Sequence, residues 1–188
     1  MKKIPTLFKR VFENHKVIEV IPEITKGCEE AFKNGIATVK YDGSCCAIIN
    51  GIFYKRYDCK NGKPIPENAI KCQDNPDPIT GHFPCWMKCD ENNKSDKWFF
   101  EAFDTSISLA KSNLPDGTYE AIGKHFQGNK YNLNYDILKP HGKDILEVNR
   151  DFESIKDFLY NNKIEGIVFW LNGEPVCKIK RSDFGFEW

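Results

Sequence analysis

The sequence has no excess of charge of either sign: 27 Lys and Arg balance 27 Asp and Glu across 188 residues. A protein that grips long duplex usually carries a basic excess, so a broad cationic coat is excluded while a local basic groove is not. Arginine is scarce. Only Arg10, Arg56, Arg150 and Arg181 are present, against a large majority of lysines. No apolar run approaches ~18 residues, which excludes a hydrophobic spanning helix. The start, Met1-Lys2-Lys3-Ile4-Pro5, lacks the apolar core of a secretion signal. Internal repeats and low-complexity tracts are absent too.

What is present suits a packed core. The chain is 40% hydrophobic and 13% aromatic, too apolar for disorder, and long enough to bury a core without disulfides. Eight cysteines need explaining. Cys45 and Cys46 are neighbours in a strand-like run and point to opposite faces. Cys72, Cys85 and Cys89, with His82 nearby, loosely suggest a metal site, but no second close pair completes it. Reduced thiols in a cytoplasmic compartment are expected.

The pattern predicts one α+β domain over residues 1–188, with antiparallel β-sheets and flanking helices. Val17–Ile21 reads as extended up to Pro22, and a short helix follows around Glu29–Lys33. Ile36–Val39 reads as a strand. Cys45–Asn50 and Ile52–Tyr57 form a hairpin on Asn50-Gly51, the dipeptide that best fits a two-residue turn. The span Asp58–Asn93, rich in Pro, Gly, Asn and Asp, reads as an irregular insertion. Trp98–Leu114 reads as a helix, stopped by Pro115-Asp116-Gly117. Strands at Thr118–Ile122 and Asn134–Leu138, a helix at Phe152–Tyr160, and a hairpin of Ile164–Trp170 with Pro175–Lys180 complete the chain.

Several short strings could carry chemistry. Lys40-Tyr41-Asp42-Gly43 fits either a solvated lysine before a turn or a lysine nucleophile at a strand end, where Gly43 lets a ligand approach. A two-residue loop at Asn50-Gly51 pairs residues summing to 101, which returns Arg56 beside Gly43-Ser44. Glu120 is a lone carboxylate in an apolar strand, and Glu165 leads straight into another. Lys178 and Lys180 lie two apart and share a face. A two-residue loop at Asn172-Gly173 pairs residues summing to 345, so Glu165 should face Lys180 and Ile167 should face Lys178, all on one surface. His125 and His141 suit either a general base or a loop anchor. Trp86, Trp98 and Trp170 suit either the core or stacking on splayed bases.

K-x-D-G, a strand Glu, E-G-I-V and K-x-K, in that order, resemble the covalent nucleotidyltransferase superfamily of DNA ligases, RNA ligases and mRNA-capping enzymes. The stretches 40–46, 77–86, 120–131, 140–142, 163–168 and 176–188 are similar to the compact ATP-dependent 5′-to-3′ RNA ligases of vertebrates and large viruses. The resemblance implies a ligase-adenylation fold and a lysyl-AMP on Lys40. It implies a nucleotide held by the Thr38–Val39 backbone, Arg56, Glu120, Phe126, Ile167, Lys178 and Lys180. Phe126 suits core packing equally well. Glu165, with Glu120, should hold Mg²⁺, for which Mn²⁺ could substitute.

The implied partners are ATP and RNA bearing 5′-phosphate and 3′-hydroxyl ends, with a monomer acting in the cytoplasm (the host cytosol for a virus-encoded chain). The rival enzyme readings are a capping guanylyltransferase and a DNA ligase-like enzyme. Each is expected to need an oligonucleotide-binding domain of roughly 70–100 residues, whereas eight residues follow Lys180. A non-catalytic RNA-end-binding module is the rival of another class, and it has no need of the Lys40 nucleophile.

Overall fold

The computed structural model describes residues 1–14, 16–78 and 80–188; Ile79, within the stretch 77–86 noted above, lies outside them. The architecture is α+β with antiparallel sheets. In chain order the elements are β1 Phe8–Glu13, β2 Lys16–Ile24, α1 Glu29–Asn34, β3 Ile36–Lys40, β4 Ser44–Ile49 and β5 Ile52–Cys59. β6 Ile70–Lys71, β7 Phe83–Lys88, α2 Lys97–Ala110, β8 Gly117–Gly123 and β9 Asp136–Pro140 follow. α3 Phe152–Asn161, β10 Gly166–Leu171 and β11 Glu174–Lys180 close the chain.

These elements fall into two compact units. One comprises Met1–Lys3 and Asp42–Pro140, the other Ile4–Tyr41 and His141–Trp188. The first is built on a six-stranded sheet in the order β6-β7-β5-β4-β8-β9. Its β4–β5 hairpin has the expected register, with Cys46 opposite Lys55 and Ile49 opposite Ile52. Asn50 and Gly51 both take positive φ, 52° and 71°, as a twist-matched two-residue turn requires. The Asp116 carboxylate accepts both of their amides, at 2.5 and 2.9 Å.

Helix α2 covers β8 and β9 of this sheet. It places Trp98, Phe99, Phe103 and buried Ala102 on a cluster of Cys46, Ile48, Phe53, Tyr119, Ala121, Phe126 and Leu138. Ser106, on the buried face, donates to the Ala102 carbonyl and accepts the Leu138 amide at 2.8 Å, pinning the helix to β9. The helix stops at Ala110 rather than Leu114, because Lys111 enters the left-handed region at φ 54°.

The irregular-insertion expectation for 58–93 is corrected in part. Phe83–Lys88 is a regular strand, in register with Tyr54–Cys59. The many Pro, Gly and Asn residues around it belong to the loops and mask the alternation that the strand itself carries.

The second unit holds a three-stranded sheet in the order β11-β10-β3 and the separate β1–β2 hairpin. Strand β2 runs through Pro22 rather than ending before it. Its two-stranded partnership leaves an edge, where a missing N–H is tolerated. Helices α1 and α3 supply Ala31, Phe32, Ile155 and Leu159 to a core shared with Leu7, Phe8, Ile167, Phe169, Cys177 and Ile179. Phe8 packs edge-on against Phe32 and Phe152, with centroids 5.7 and 4.9 Å apart. Such pairs each add about 0.5–1.5 kcal/mol beyond their buried area. Among the described residues, no helix is long and apolar enough to cross a membrane.

Candidate active site

The three-stranded sheet has two unlike faces. Ala37, Ile167, Phe169, Cys177 and Ile179 are almost fully buried in the core. Alternation sends the other residues to the opposite face. Across it, Lys40, Gly166 and Lys180 form one row, and Thr38, Val168 and Lys178 the next.

This corrects the register expected from the Asn172-Gly173 turn. Leu171↔Glu174 and Trp170↔Pro175 pair as expected, but from Phe169↔Cys177 onward the strands are shifted by one, with Val176 as the extra residue. Pro175 has no N–H to donate, so the ladder accommodates a bulge beside it. Lys178 consequently faces Val168, and Ile167, expected on this surface, lies 0% exposed on the core side.

Glu165 stands just before β10 and is 6% exposed. Its Oε2 accepts from Lys40 Nζ at 2.5 Å and its Oε1 from Lys180 Nζ at 2.9 Å. Gly166 puts no side chain between the two lysines. A Cβ there would come within 2.2 Å of the Ile179 carbonyl oxygen, so only glycine fits. Among the described residues, Lys178 has no carboxylate partner. Burial, followed by the charges of Lys40 and Lys180, lowers its pKa to about 8; Glu165 works in the opposite direction, and Arg10 adds to the lowering.

Several contacts hold this face in place. Thr38, 1% exposed, accepts the Trp170 indole N–H at 2.8 Å through its hydroxyl. The Val39 amide donates to the Asp144 carbonyl at 2.9 Å. Tyr41 donates its hydroxyl to the Asp144 carboxylate at 2.6 Å. On the outer edge of β11, the Lys178 amide donates to Pro5 and its carbonyl accepts from Leu7. Asp183 accepts the Lys180 amide at 2.9 Å and, with its other oxygen, Nε and Nη2 of Arg10 at 3.0 and 2.6 Å.

Glu120, Arg56, Phe126 and His125 belong to the first unit, and His141 to the second. Glu120 lies opposite Cys45 on β8 and accepts the Gly43 amide at 3.1 Å. Gly43 is required by close approach, since a Cβ would meet the Ala121 carbonyl oxygen at 2.1 Å. The Asp42 amide donates to the Tyr131 hydroxyl at 2.7 Å. Arg56 is committed to the Asp58 carboxylate and the Met1 carbonyl, both at 2.7 Å. Phe126 is 6% exposed and packs edge-on against Phe99 in the core, its ring centroid 5.3 Å away.

The histidine and tryptophan alternatives separate. The His125 backbone amide and Nδ1 both engage fully buried Asp136, at 2.9 and 2.6 Å, and its ring stacks on Trp98 with centroids 3.4 Å apart. Lys97 covers the Trp98 ring as well, at 4.4 Å. Trp98 is thus engaged by its own neighbours, and Trp86 is 4% exposed in the core. Cys85 and Cys89 are buried, and burial pushes the Cys89 thiol up to about 12. Among the described residues neither joins a group able to ligate a metal, and all eight cysteines are free thiols.

Sequence reasoning missed Val168, the Arg10–Asp183 brace and the anchors Tyr131 and Asp144. Pro175 was the available signal for Val168, and the scarcity of arginine the one for Arg10. Nothing local announces Tyr131 or Asp144, whose partners lie 89 and 103 residues away.

No family model matches the chain. It is similar to proteins named RNA ligase 1. It is 23% identical to that of Rattus norvegicus, in an alignment covering 96% of this chain and 76% of the rat protein. Identity to that of Pongo abelii is 24%, with the same coverage of 96% and 76%. For that of Danio rerio, also 24% identical, the alignment covers 71% of this chain and 46% of the fish protein. These distant similarities support an RNA ligase family for the chain.

Proposed function

We propose that this chain is an ATP-dependent RNA ligase that joins an RNA 5′-phosphate to a 3′-hydroxyl through a lysyl-AMP on Lys40. The observation that carries the reading is the Lys40–Glu165–Lys180 bridge, with the Lys178 cation beside it on one sheet face. The similarity to RNA ligases favours this use of it over other phosphoryl chemistry.

In the first step the neutral Lys40 amine attacks the α-phosphorus of ATP. A P–N bond forms, the amine loses a proton, and the bond to the pyrophosphate oxygen breaks. An RNA 5′-phosphate oxygen then attacks the same phosphorus, freeing Lys40 and leaving AMP joined to the RNA end. Finally the 3′-hydroxyl oxygen attacks the RNA phosphorus and expels AMP, with the hydroxyl proton lost.

Each residue has a task in this scheme. Lys178 and Lys180 offset the charge that develops on the phosphate oxygens. Glu165 keeps the Lys40 head group in place and must release it before attack, because an ammonium has no lone pair. The Val39 amide is taken by Asp144, so its carbonyl is the backbone group of that residue suited to reading an exocyclic amine. Val168, on the lysine face, takes the base-packing role first expected of Ile167.

One carboxylate already shared by two ammoniums does not make a cage for a resident cation. It does fit Mg²⁺ or Mn²⁺ arriving with nucleotide phosphates, which bring their own oxygens. Glu165 would hold the ion, which would polarise the phosphate oxygens as a Lewis acid.

Intact-mass spectrometry after incubation with ATP and Mg²⁺ tests the reading. The expected result is one AMP adduct, mapping to Lys40 and absent from Lys40→Ala. No adduct on the wild-type protein, or an equal adduct on the variant, ends it.

A further inference from the structure

The lysine face continues beyond the catalytic rows. After Lys40–Gly166–Lys180 and Thr38–Val168–Lys178, its next row carries Ile36 opposite Trp170. Ile36 lies four residues from Lys40, about 13 Å at ~3.3 Å per strand residue. At this end the sheet borders a cavity of about 390 Å³, lined by Asn34, Ile36, His141, Lys143, Trp170 and Asn172 among others.

The lining has a definite chemistry. Among the described residues it contains Lys143 and His141 and no carboxylate. Trp170 is fixed by its bond to Thr38, and Gly142 packs so closely that a Cβ would lie 3.2 Å from the indole. Ile36 leaves 53% of its surface exposed beside it. Two carboxamides line it, Asn172 and Asn34; the Asn34 amide nitrogen donates to Glu30 at 2.8 Å, and its oxygen remains an acceptor. The larger cavity of the first unit differs: Asp90 and Glu91 join its lining of Phe53, Phe100 and Phe103, which disfavours a polyanion there.

We propose that the Trp170 cavity binds one unpaired nucleotide of the RNA strand whose 5′-phosphate is activated at Lys40. The proposal rests on the ligase reading. Indole and isoleucine supply the apolar contact that an unstacked base needs, the carboxamides bond its edge, and Lys143 meets the adjoining phosphate. Volume supports a single nucleotide, since ligand sites span about 300–1,000 Å³. Position supports it too, because the cavity lies on the continuation of the face that carries the phosphate lysines. A strand seated there would place its end near Lys40 with its first nucleotides unpaired.

The test separates nucleotide chemistry from RNA binding. Lys143→Glu and Ile36→Asp each put a negative charge in the cavity, away from Lys40. Both variants should form the AMP adduct from ATP at the wild-type rate and ATP dependence. Their KM for a single-stranded 5′-phosphorylated RNA acceptor of AMP should rise at least tenfold. Photocrosslinking of 5-iodouridine RNA to the Lys40→Ala protein, with peptide mapping, should label Trp170 or its neighbours 171–173.

Adduct formation with an unchanged RNA KM in both variants overturns the proposal, as does labelling confined to the first unit. Loss of the adduct in both variants, with their melting temperatures intact, also overturns it, since the cavity would then serve ATP. Absence of an adduct on the wild-type protein would instead remove the ligase reading. Crosslinking, which needs no catalysis, would still report whether RNA occupies this cavity.

Discussion

The Glu165 carboxylate lies 2.5 Å from Lys40 Nζ, so the proposed nucleophile is tied to an anion and is not free to attack. The same carboxylate holds Lys180 at 2.9 Å, and with Lys178 in the next row three cations face one anion. That surplus has the sign and spacing to receive phosphates. It also makes Glu165 the residue that decides whether Lys40 is free.

Glu165→Gln should therefore do more to chemistry than to stability. The amide keeps the shape but loses the charge that balances two lysines. Because Lys40 and Lys180 are 20% and 32% exposed, water offsets much of the loss, and the expected destabilisation is about 1 kcal/mol. AMP-adduct formation should fall by about 100-fold or more, a loss of transition-state stabilisation near 2.7 kcal/mol. Quenched-flow adenylation and thermal melting on the same variant check the two halves. A melting shift larger than the kinetic loss would make Glu165 a structural ion pair first.

Lys178 gives a pH signature. Its pKa is lowered to about 8 from 10.5, by burial first and then by Lys40 and Lys180. Between those values the unfolded chain binds the proton and the folded chain does not, so this group makes stability rise with pH from about 8 to 10.5. Below pH 8 its charge is a cost to folding. Lys178→Met should raise the melting temperature at pH 7 by about 2–4 °C, equivalent to about 1 kcal/mol. The gain should shrink at pH 9.5, and adduct formation should be lost throughout. In the wild-type protein the apparent affinity for ATP should weaken above about pH 8, as the proposed phosphate-binding cation is lost. Calorimetry at pH 7 and 9.5 decides it. A constant difference between variant and wild type would remove the shifted lysine.

Gly166 tests the tight geometry at the row of Lys40 and Lys180. A Cβ there would lie 2.2 Å from the Ile179 carbonyl oxygen, so β10 and β11 would have to part. Gly166→Ala should cost about 1–3 kcal/mol, the range for overpacking, and lower adduct formation by separating Lys180 from Glu165. Urea unfolding with adenylation kinetics measures both. A variant as stable as wild type would mean that the strands yield freely there.

Much of the fold can be read in the sequence where signals are local. Asn50-Gly51 sets the register of β4 and β5, because its two positive-φ residues leave the loop no other length. Asn172-Gly173 is equally clear as a turn, but Pro175 displaces the ladder beyond it, and a one-residue slip reverses every face. Phe83–Lys88 pairs across a long loop, so its strand character depends on a distant partner. The chemistry follows the same division. Lys40, Glu165 and Lys180 converge because a hairpin and one neighbouring strand bring them together. Phe126 cannot be separated from a base-stacking residue by sequence, since core and nucleotide both favour an aromatic ring.

The bulge beside Pro175 supplies the last prediction, because it exchanges the roles of two adjacent residues. Ile167 is 0% exposed and shares the core with Phe8, Phe169 and Ile179. Val168 is partly exposed between Thr38 and Lys178 on the lysine face. Ile167→Val removes one buried methylene, with an expected cost of about 0.5–1.5 kcal/mol and an unchanged KM for ATP. Val168→Asp should behave oppositely. A carboxylate in the row of Lys178 would pair with that lysine, offset its charge, and oppose the incoming phosphates. Stability should change by less than about 1 kcal/mol, while the KM for ATP in adduct formation rises tenfold or more. Were the unshifted register correct, Ile167 would stand on the lysine face, and the two variants would exchange their effects on melting and on KM.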